Sequence, residues 1–584
     1  MNVIYNATMK IDKRFLPTTR EEMHARGWEQ CDVILVSGDA YIDSPFIGVA
    51  VVGRMLEKMG YRVGIIGQPD VESDKDISRL GEPRLFWGVS GGSIDSMVAN
   101  YTATKKFRNS DDYTPGGKND KRPDRAVLVY CNLIRRFFKD TAPIVLGGIE
   151  ASLRRVTHYD YWTNKLRKPI LFDAKADILV YGMGEIALEQ LTKALDDGRD
   201  YRDIRGICYI SKEPAEQYHQ LPSHEECLKE KEKYIDLFDL FYDNNDPIAA
   251  NGLCEKVDGR YLIQNPPCDY LNEAEMDAVS ALPYTRELHP YHRPQGVVKC
   301  LETIKFSIMT HQGCWGECNF CAIGVHQGRT IRTRSEASIV NEAKDFTKYR
   351  DFKGIISDLG GPTANMYGYE CNKKLKHGTC DHQRCVDSRH LCSSMKPDHS
   401  RVTNMMKQVR DVPGIRKAFV ASGIRYDLIT VDKRHGYDYL KELVNHHISG
   451  QMKVAPEHTE QHVLDLMGKP GKQTLIDFKK LYDRLNKEAG KKQFLTYYLI
   501  AAHPGCTEKD MHELKRFTRD ELKMNPEQAQ VFTPTPGTYS SVMYYTEMDP
   551  VTRKKIFVEK DTRRKEKQKE IVVKKQKFKR DFAS

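Results

Sequence analysis

The 584-residue sequence lacks the long apolar runs of a membrane protein, because no run approaches the roughly 18 residues that cross a bilayer. Its first residues, MNVIYNATMKIDKRFLPTT, also lack an apolar segment followed by a small-residue cleavage site. These two absences predict a cytoplasmic protein without a membrane partner. With 40% hydrophobic residues the chain can build a sizeable core, which excludes gross disorder and allows about two to four domains.

Outside its C-terminal end the chain is nearly neutral. The whole chain carries +10, and residues 551–584 hold 14 Lys and Arg against 5 Asp and Glu, so this tail accounts for +9. A tail of this kind is predicted to be either a charged helix or a disordered segment. Its charge suits an anionic partner such as RNA. A solvated tail that aids solubility explains the same composition.

The 15 cysteines are an odd number, so they have no complete pairing scheme. In a long chain without an export signal, a reducing compartment favours metal ligands or reactive thiols over disulfides. Cysteines within apolar runs are most simply interpreted as core residues.

Residues 1–211 alternate short apolar runs with stretches of helical periodicity. The runs VILVSGD, RVGIIGQPD, LFWGVSGGS, PIVLGGIEAS and DILVYGMGE are typical of buried strands, and FIGVAVVGRMLEKMGY of a helix. This pattern predicts an α/β domain with a doubly wound, Rossmann-like parallel sheet. The glycine-rich strand ends should then cluster at one edge as a ligand site, although plain turns also explain these glycines. G-x-G-x-x-G is absent, which excludes the usual dinucleotide fingerprint.

The second half of the chain has a different plan. Residues 212–298 are irregular and are predicted to form a linker that packs between two domains. Residues 299–550 contain about six strand–helix pairs, which predict most of a β/α barrel with functional groups at the C-terminal ends of its strands. A cysteine-rich insert at 366–400 interrupts this region, and the basic tail 551–584 follows it.

Three cysteines, Cys314, Cys318 and Cys321, follow the first predicted barrel strand in C-x3-C-x2-C spacing. A structural zinc site needs four ligands, and only His311 and His326 are candidates for the fourth. Three thiolates instead suit a [4Fe–4S] cluster that keeps one iron open. Phe320 supplies an apolar shield beside such a cluster. A thiol redox site is disfavoured, because this C-x-x-C does not open a helix of a thioredoxin-like unit.

The motif and its position resemble those of radical S-adenosylmethionine (SAM) enzymes. More narrowly, six segments look like those of the YgiQ family. They are the segment from GDAYID to IIGQPD, GGIEASLRRVTHYDYW, NPPCDYL, ISDLGGPTANMYG, KVAPEHT and FTPTPGT. The resemblance implies that a [4Fe–4S] cluster reductively cleaves SAM to a 5′-deoxyadenosyl radical, which acts on an unidentified substrate. It also implies a reductase, or a flavodoxin- or ferredoxin-type protein, as electron donor.

The resemblance also carries over to particular residues. Cys314, Cys318 and Cys321 would ligate the cluster. Gly360 and Gly361 stand where the superfamily has its Gly-Gly-Glu element, whose backbone carbonyls receive the SAM ammonium group. Pro362 replaces the acidic residue. Ser422 and Arg425 lie at the end of a later strand, where contacts to the SAM ribose or carboxylate are expected, and a surface salt bridge is the alternative for Arg425.

A second cysteine group lies in the insert, with C-x8-C-x4-C-x6-C spacing. Four cysteines within 22 positions of a polar loop would oxidise readily as bare thiols, so the spacing favours a metal. Either a second iron–sulfur cluster or a cysteine-rich zinc site fits this number of ligands. The candidate ligands are Cys371, Cys380, Cys385 and Cys392.

The N-terminal domain is similar to the cobalamin-binding domains that are fused to many radical SAM enzymes. Domains that bind cobalamin through histidine carry D-x-H-x-x-G, and GVSGGSID has no histidine there, which disfavours cobalamin. Cobalamin bound without a protein ligand stays open. Segments such as KVAPEHTEQHVLDLMGKPG are similar to those of methylthiotransferases that modify tRNA, which makes RNA the main candidate substrate. The competing hypothesis is a non-catalytic zinc- and nucleic-acid-binding protein.

Overall fold

The computed structural model describes residues 11–380, 384–387 and 391–573. Its first half is built on one nine-stranded sheet, and its second half on a partial β/α barrel. This confirms the predicted α/β fold class. None of the helices in these ranges combines the length and the apolar character of a membrane span.

The sheet of the first half has a parallel part and an antiparallel part. The five strands predicted from apolar runs are parallel to one another, as in a doubly wound domain. The strand Ile207–Ser211 then pairs antiparallel with Ile178–Val180 and connects the sheet to three further strands. From edge to edge the order is His219–Leu221, Leu253–Val257, Arg260–Gln264, Ile207–Ser211, Ile178–Val180, Ile144–Gly147, Phe86–Ser90, Val33–Ser37 and Val63–Gly67.

The predicted boundary at residue 211 is therefore wrong, because residues 219–264 extend the sheet. The signal was present in the sequence, where Asp258 and Gly259 separate two strands of alternating polarity. Both residues have positive φ, +48° and +73°, as a two-residue turn that matches the twist of a hairpin requires. Residues 212–298 are thus part of the first domain rather than a linker.

Helices cover both faces of this sheet. The predicted helix after the first strand is present as Gly48–Lys58, and its buried side includes Val49, Ala50 and Leu56. The helices of the first half are Arg20–His24, Gly48–Lys58, Ser96–Asn100, Ala126–Phe137, Gly148–Ser152, Ile170–Ala174, Glu185–Asp196, His224–Lys229, Lys231–Asp243 and Glu273–Ser280.

Six successive parallel strand positions form the partial barrel, as the sequence predicts. Each pairs with the next, and the third and fourth are joined by a bridge between Ile424 and Val454. Within the described ranges no pairing joins the sixth strand to the first, so the barrel is open. The strands are Ser307–Met309, Ile355–Ile356 with Asp358–Gly360, Lys417–Ala418, Gln451–Glu457, Phe494–Ala501 and Gln530–Val531.

The barrel helices alternate with these strands. Ser335 caps the helix Glu336–Phe346 by accepting a hydrogen bond from the Ser338 N–H at 3.0 Å, as the sequence predicts. The helices are Cys300–Ile304, Ile323–His326, Glu336–Phe346, Asn372–His377, Ser400–Arg410, Tyr426–Val431, Gly436–Glu442, Gln461–Met467, Lys472–Glu488, Glu508–Asp520, Tyr539–Thr546 and Thr562–Val572.

The last of these helices lies within the predicted basic tail. It packs against the helix Glu508–Asp520 and buries Lys565 completely. Residues 551–573 are therefore an ordered part of the barrel and not a separate disordered tail, while residues 574–584 lie outside the described ranges. Acidic partners also offset part of its positive charge, as Glu508 does for Lys567 at 2.7 Å.

Candidate active site

The first cysteine group occupies a tight loop after the first barrel strand. Gly313 has φ +82°, and a Cβ there would lie 2.2 Å from the carbonyl oxygen of Thr330, so only glycine fits. The Cys314 N–H donates to the Gly328 carbonyl at 3.1 Å, and the Cys321 N–H donates to the Cys318 carbonyl at 2.9 Å. These backbone contacts fold the loop back on itself and bring the three thiols into one region.

Distant segments fix the middle of the same loop. The backbone N–H of Asn319 donates to the Met467 carbonyl, and its side-chain amide donates to the Leu466 carbonyl, both at 2.9 Å. The Ser540 N–H donates to the Asn319 carbonyl, again at 2.9 Å. The loop is therefore held by residues about 150 and 220 positions further along the chain.

Hydrogen-bond donors surround the thiols of this loop. The Gly316 N–H lies 3.4 Å from Cys314 Sγ, and the Thr363 hydroxyl lies at the same distance from that sulfur. Arg425 Nη1 lies 3.8 Å from Cys318 Sγ. A guanidinium and an amide N–H beside the sulfurs favour the deprotonated thiolate form that binds a metal.

Burial acts in the opposite direction on the same thiols. It raises the pKa of Cys314 above the ordinary cysteine value and that of Cys321 to about 12. A buried thiolate without a counter-charge is costly, whereas a metal deprotonates a coordinating thiol outright. These three residues therefore fit a bound metal centre better than three free thiols.

The arrangement fits a cluster better than a single ion. Zinc holds its thiolates at about 2.3 Å, so its ligands converge on one point. In the described ranges no three His, Cys, Asp or Glu side chains form such a group, and neither His311 nor His326 completes one. A [4Fe–4S] cluster is larger, and its ligands stand further apart.

Gly360 and Gly361 end the second barrel strand beside this loop. The Gly360 carbonyl accepts from both the N–H and the hydroxyl of Thr310, at 2.8 and 3.1 Å. In the described residues no hydrogen bond reaches the Gly361 carbonyl, so this oxygen is the one left for a ligand. A Cβ on residue 361 would lie 2.5 Å from the ring of His311, so the glycine permits this close packing.

Ser422 lies directly against the glycine pair. Its hydroxyl donates to Asp358, and the Ser422 and Ala421 N–H groups donate to the other oxygen of that carboxylate at 3.1 and 2.8 Å. A Cβ on Gly360 would lie 2.6 Å from Ser422 Oγ. The structure thus brings the predicted Ser422 and Gly360 together, and Asp358 holds the turn between them.

Arg425 is buried, which rules out the surface salt bridge considered from the sequence. Two of its nitrogens donate to the two carboxylate oxygens of Asp427, at 2.9 and 2.6 Å. Burial alone would lower the pKa of Arg425, but the Asp427 carboxylate raises it above the ordinary arginine value. The guanidinium is therefore charged, and its remaining nitrogen faces Cys318.

Phe320 is half-buried on the far side of the loop. Its ring lies edge-on to His503, with 6.2 Å between centroids, and the Lys469 ammonium lies 5.9 Å from it. Lys469 in turn pairs with the buried Glu457 at 3.7 Å. The Phe320 ring, which the sequence predicts to shield the cysteine loop, is thus backed by the buried ion pair of Lys469 and Glu457.

A cavity of about 420 Å³ separates the first domain from the barrel, and its size is that of a small-molecule site. The glycine-rich strand ends line one side, as the sequence predicts. Another side is lined by Met309 at the end of the first barrel strand and by residues that flank the cysteine loop, Gln312, His326 and Gln327. Among the described residues, three buried polar atoms on its wall have no hydrogen-bond partner: Glu185 Oε2, Gln312 Oε1 and His326 Nδ1. Burial raises the pKa of the Glu185 carboxyl above its ordinary value. Burial also lowers the pKa of His326 to about 4, so this imidazole is neutral near pH 7.

The second cysteine group also comes together. Its four members, predicted from spacing alone, line one cavity in the insert.

Sequence reasoning missed Asp358, Asp427 and Gln312. The signals were weak, because Asp427 stands two residues after Arg425 and Gln312 two residues before Cys314, without a motif of their own.

Comparisons with known proteins agree with this geometry. The family model described as "Radical SAM N-terminal" matches residues 15–307, and "Radical SAM superfamily" matches residues 308–518. A UPF0313 protein of Fusobacterium nucleatum is 59% identical, covering 97% of this chain and 99% of the relative. A UPF0313 protein of Clostridium perfringens is 47% identical, covering 96% of this chain and 85% of the relative. A UPF0313 protein of Thermotoga maritima is 45% identical, covering 96% of this chain and 99% of the relative.

Two solved structures are more distant. The radical SAM methyltransferase TsrM from Kitasatospora setae, with tryptophan and a SAM analogue bound, is 15% identical with a TM-score of 0.46, covering 86% of this chain and 74% of that chain. The cobalamin-dependent SAM radical enzyme OxsB is 13% identical with a TM-score of 0.47, covering 90% and 57%. On the family models and the near-complete relatives, the chain belongs to the YgiQ/UPF0313 family within the radical SAM superfamily, a superfamily of enzymes that use a [4Fe–4S] cluster and SAM.

Proposed function

We propose that this protein is a radical SAM enzyme that cleaves SAM reductively and abstracts hydrogen from a substrate. The observation that carries the proposal is the three-cysteine loop at the C-terminal end of the first barrel strand, with the Arg425 guanidinium 3.8 Å from Cys318 Sγ. When bound there by three thiolates, a [4Fe–4S] cluster supplies one electron to SAM, whose cleavage gives a 5′-deoxyadenosyl radical.

The protein groups hold and orient these cofactors. Cys314, Cys318 and Cys321 are the cluster ligands, and Arg425 offsets their negative charge. The Gly361 carbonyl is an acceptor for an ammonium group, since the Gly360 carbonyl is used within the fold. Phe320 keeps water from one side of the loop. The electron comes from a reductase or a flavodoxin- or ferredoxin-type protein, a pairing that suits the reducing cytoplasm in which we place the enzyme.

The interdomain cavity is the proposed place of the substrate. It borders the cysteine loop through His326 and Gln327, and it presents the buried Glu185 and Gln312 as polar contacts. At about 420 Å³ it accepts a small molecule or one exposed unit of a polymer rather than a folded macromolecule.

RNA is the proposed substrate class, and one unpaired base could occupy this cavity. Ion pairs occupy many cations of residues 551–573, so the proposal relies on residues 574–584, which hold five Lys and Arg against one Asp. A chain ending at Val573 should bind single-stranded RNA more weakly, with a shallower dependence of affinity on salt. Unchanged affinity would contradict this substrate class.

The first experiment is an anaerobic SAM-cleavage assay. The protein is reconstituted with iron and sulfide, reduced with dithionite and mixed with SAM, and 5′-deoxyadenosine is measured. We expect deoxyadenosine from the wild type and none from Cys314→Ala, while Cys131→Ala, which removes a buried core thiol, retains the activity. A protein that binds zinc, or that binds iron without cleaving SAM, would instead support the non-catalytic zinc- and nucleic-acid-binding alternative.

A further inference from the structure

The cysteine-rich insert forms a second cavity beside the first cysteine loop. Its volume is about 230 Å³, whereas a cavity of about 10–15 Å³ already holds one water. All four cysteines of the insert line it, and so does Glu317 of the first loop. The cavity therefore has room for a group much larger than one ion, with thiols as its most numerous potential ligands.

Backbone contacts position these cysteines. Cys371 precedes the helix Asn372–His377 and accepts from the Leu375 N–H at 3.0 Å. The Cys392 N–H donates to the Cys385 carbonyl at 2.9 Å, next to an isolated β-bridge between Val386 and Leu391. These two contacts bring Cys385 and Cys392 together, although they are seven positions apart in the sequence.

The charges around the cavity suit a negatively charged group. Arg329, Lys373, Lys374 and Arg384 line it together with the carboxylate of Glu317. A second buried carboxylate, Glu370, pairs with Lys374 at 2.8 Å, so the cations still outnumber the carboxylates by two. Lys374 is only 3% exposed and donates to the Arg329 carbonyl at 2.6 Å, so its charge is held inside the structure. Four thiolates around a metal core carry a net negative charge, and buried cations stabilise such a group.

One side of the cavity is apolar. Cys371 belongs to a small apolar cluster with Trp315, Met366 and Met395, and Cys314, Cys385 and Cys392 pack against that cluster. The two cysteine groups thus share one apolar wall. Trp315 is fully buried, and among the described residues its indole N–H has no partner. An indole N–H in this wall is available to donate to a sulfur atom.

A single zinc ion does not match this arrangement. A zinc site with four thiolates has Zn–S distances of about 2.3 Å, which place neighbouring sulfurs within about 4 Å of one another. In the part of the chain that the structure describes, no three potential ligands converge in this way. The four thiols instead surround a roomy cavity, as the ligands of a polynuclear cluster do. Four protein thiolates are also the ligand set of a complete [4Fe–4S] cluster.

We propose that Cys371, Cys380, Cys385 and Cys392 bind a second iron–sulfur cluster, next to the one held by the first loop. Because all four of its irons have protein ligands, this cluster has no open position for SAM. It is therefore an auxiliary centre, and its binding does not depend on whether the first cluster cleaves SAM.

The test separates the two sites by mutation. The full chain is reconstituted anaerobically, and iron and acid-labile sulfide are measured. We expect about eight irons per wild-type chain and about four in the triple variant Cys314→Ala/Cys318→Ala/Cys321→Ala. Cys371→Ser/Cys385→Ser should also hold about four. Cys268→Ser, which removes a half-buried thiol outside both groups, is the control and should match the wild type.

Electron paramagnetic resonance of the dithionite-reduced wild type gives a second readout that needs no variant. Two signals are expected, of which SAM changes one and leaves the other unaltered. The unaltered signal should vanish in Cys371→Ser/Cys385→Ser. The proposal is overturned by a single signal in the wild type, or by a folded triple variant that holds zinc or no metal. Failure of SAM cleavage alone would concern the first site and leave these measurements unaffected.

Discussion

Gly316 shows how closely single residues are fitted around the first cysteine loop. A Cβ at this position would lie 2.9 Å from Arg425 Nη1 and 3.3 Å from Cys314 Sγ. We therefore expect Gly316→Ala to displace one of these groups and to lower the affinity for iron about tenfold or more, as changes beside metal ligands do. Iron per chain after gel filtration measures the effect.

The control for this prediction is Gly324→Ala in the adjoining helix. A Cβ there meets Arg329 Cγ at 3.5 Å, which is ordinary contact. Equal iron binding by the two variants would show that the crowding at residue 316 has no consequence for the cluster.

Arg425 and Asp427 form a buried pair in which each residue depends on the other. Arg425→Met leaves the Asp427 carboxylate buried without its partner, so the free energy of unfolding should fall by about 3–5 kcal/mol. The double variant Arg425→Met/Asp427→Leu removes both charges and should recover much of that loss. Anaerobic urea unfolding of the wild type, both single variants and the double variant measures the coupling, and additive losses would contradict it.

At the residue scale, sequence reasoning located the candidate ligands but not the residues that position them. Cysteine spacing and the YgiQ resemblance located both cysteine groups, Gly360, Ser422 and Arg425. Asp358 and Asp427 were missed, because an aspartate gains its role only from the partner that folding brings to it. The orphaned Gln312 and Glu185 atoms likewise meet at the cavity only when the two domains are packed together.

At the scale of single elements, the helix Thr562–Val572 buries a lysine. The Lys565 ammonium donates to the Tyr544 hydroxyl at 2.7 Å and lies 4.3 Å from the centre of that ring. Burial lowers its pKa to about 7. Between pH 7 and about 10 the unfolded chain keeps a proton on Lys565 that the folded chain has lost. The free energy of unfolding should therefore rise with pH in this range, by about 1 kcal/mol per unit.

Lys565→Met tests this contribution, since it keeps the apolar stem and removes the titrating group. The variant should lose this part of the pH dependence between pH 7 and 9 and should gain stability relative to the wild type at pH 6. Urea unfolding at pH 6, 7, 8 and 9 measures both effects. Lys567→Met, which removes an exposed lysine of the same helix that pairs with Glu508, is the control. Parallel pH profiles for the wild type and Lys565→Met would refute the prediction.

Elements with strong periodicity were predicted correctly, whereas those that depend on partners were missed or left undecided between two alternatives. The parallel strands of the first domain and the six barrel strands were evident as apolar runs between glycines. The hairpin around Asp258 and Gly259 was overlooked, although its turn has a clear signal. The helix Thr562–Val572 carries 11 residues of mostly charged sequence, and only its packing against the barrel explains why it is ordered.

At the scale of the whole molecule, the two halves share one apolar core. Phe238 of the first half packs against Tyr539 of the barrel with 4.7 Å between ring centres, and Tyr159 packs against Tyr545 at 5.1 Å. We therefore expect the full chain to unfold in one cooperative transition. A fragment of residues 299–584 should expose these rings and aggregate or unfold without cooperativity.

Thermal unfolding of both proteins, followed by calorimetry under anaerobic conditions, checks this expectation. Two resolved transitions in the full chain, or a cooperative transition in the fragment, would show that the barrel is an independent folding unit.

Residues 212–298 explain why the domain boundary was placed wrongly from the sequence. They complete the first sheet and also supply some of the side chains that contact the barrel, such as Phe238.

The anchoring of Asn319 by Leu466, Met467 and Ser540 also sets an order of events in time. A ribosome adds about 5–20 residues per second, so Ser540 follows Cys321 into the growing chain only after roughly 10–45 s. Throughout that interval the first three thiols have emerged without the contacts that hold their loop in place. Iron delivered during synthesis would meet an unformed site, and oxygen would meet exposed sulfur. We therefore expect a metal cluster to be loaded into this loop after translation, once residues 466–540 have folded around it.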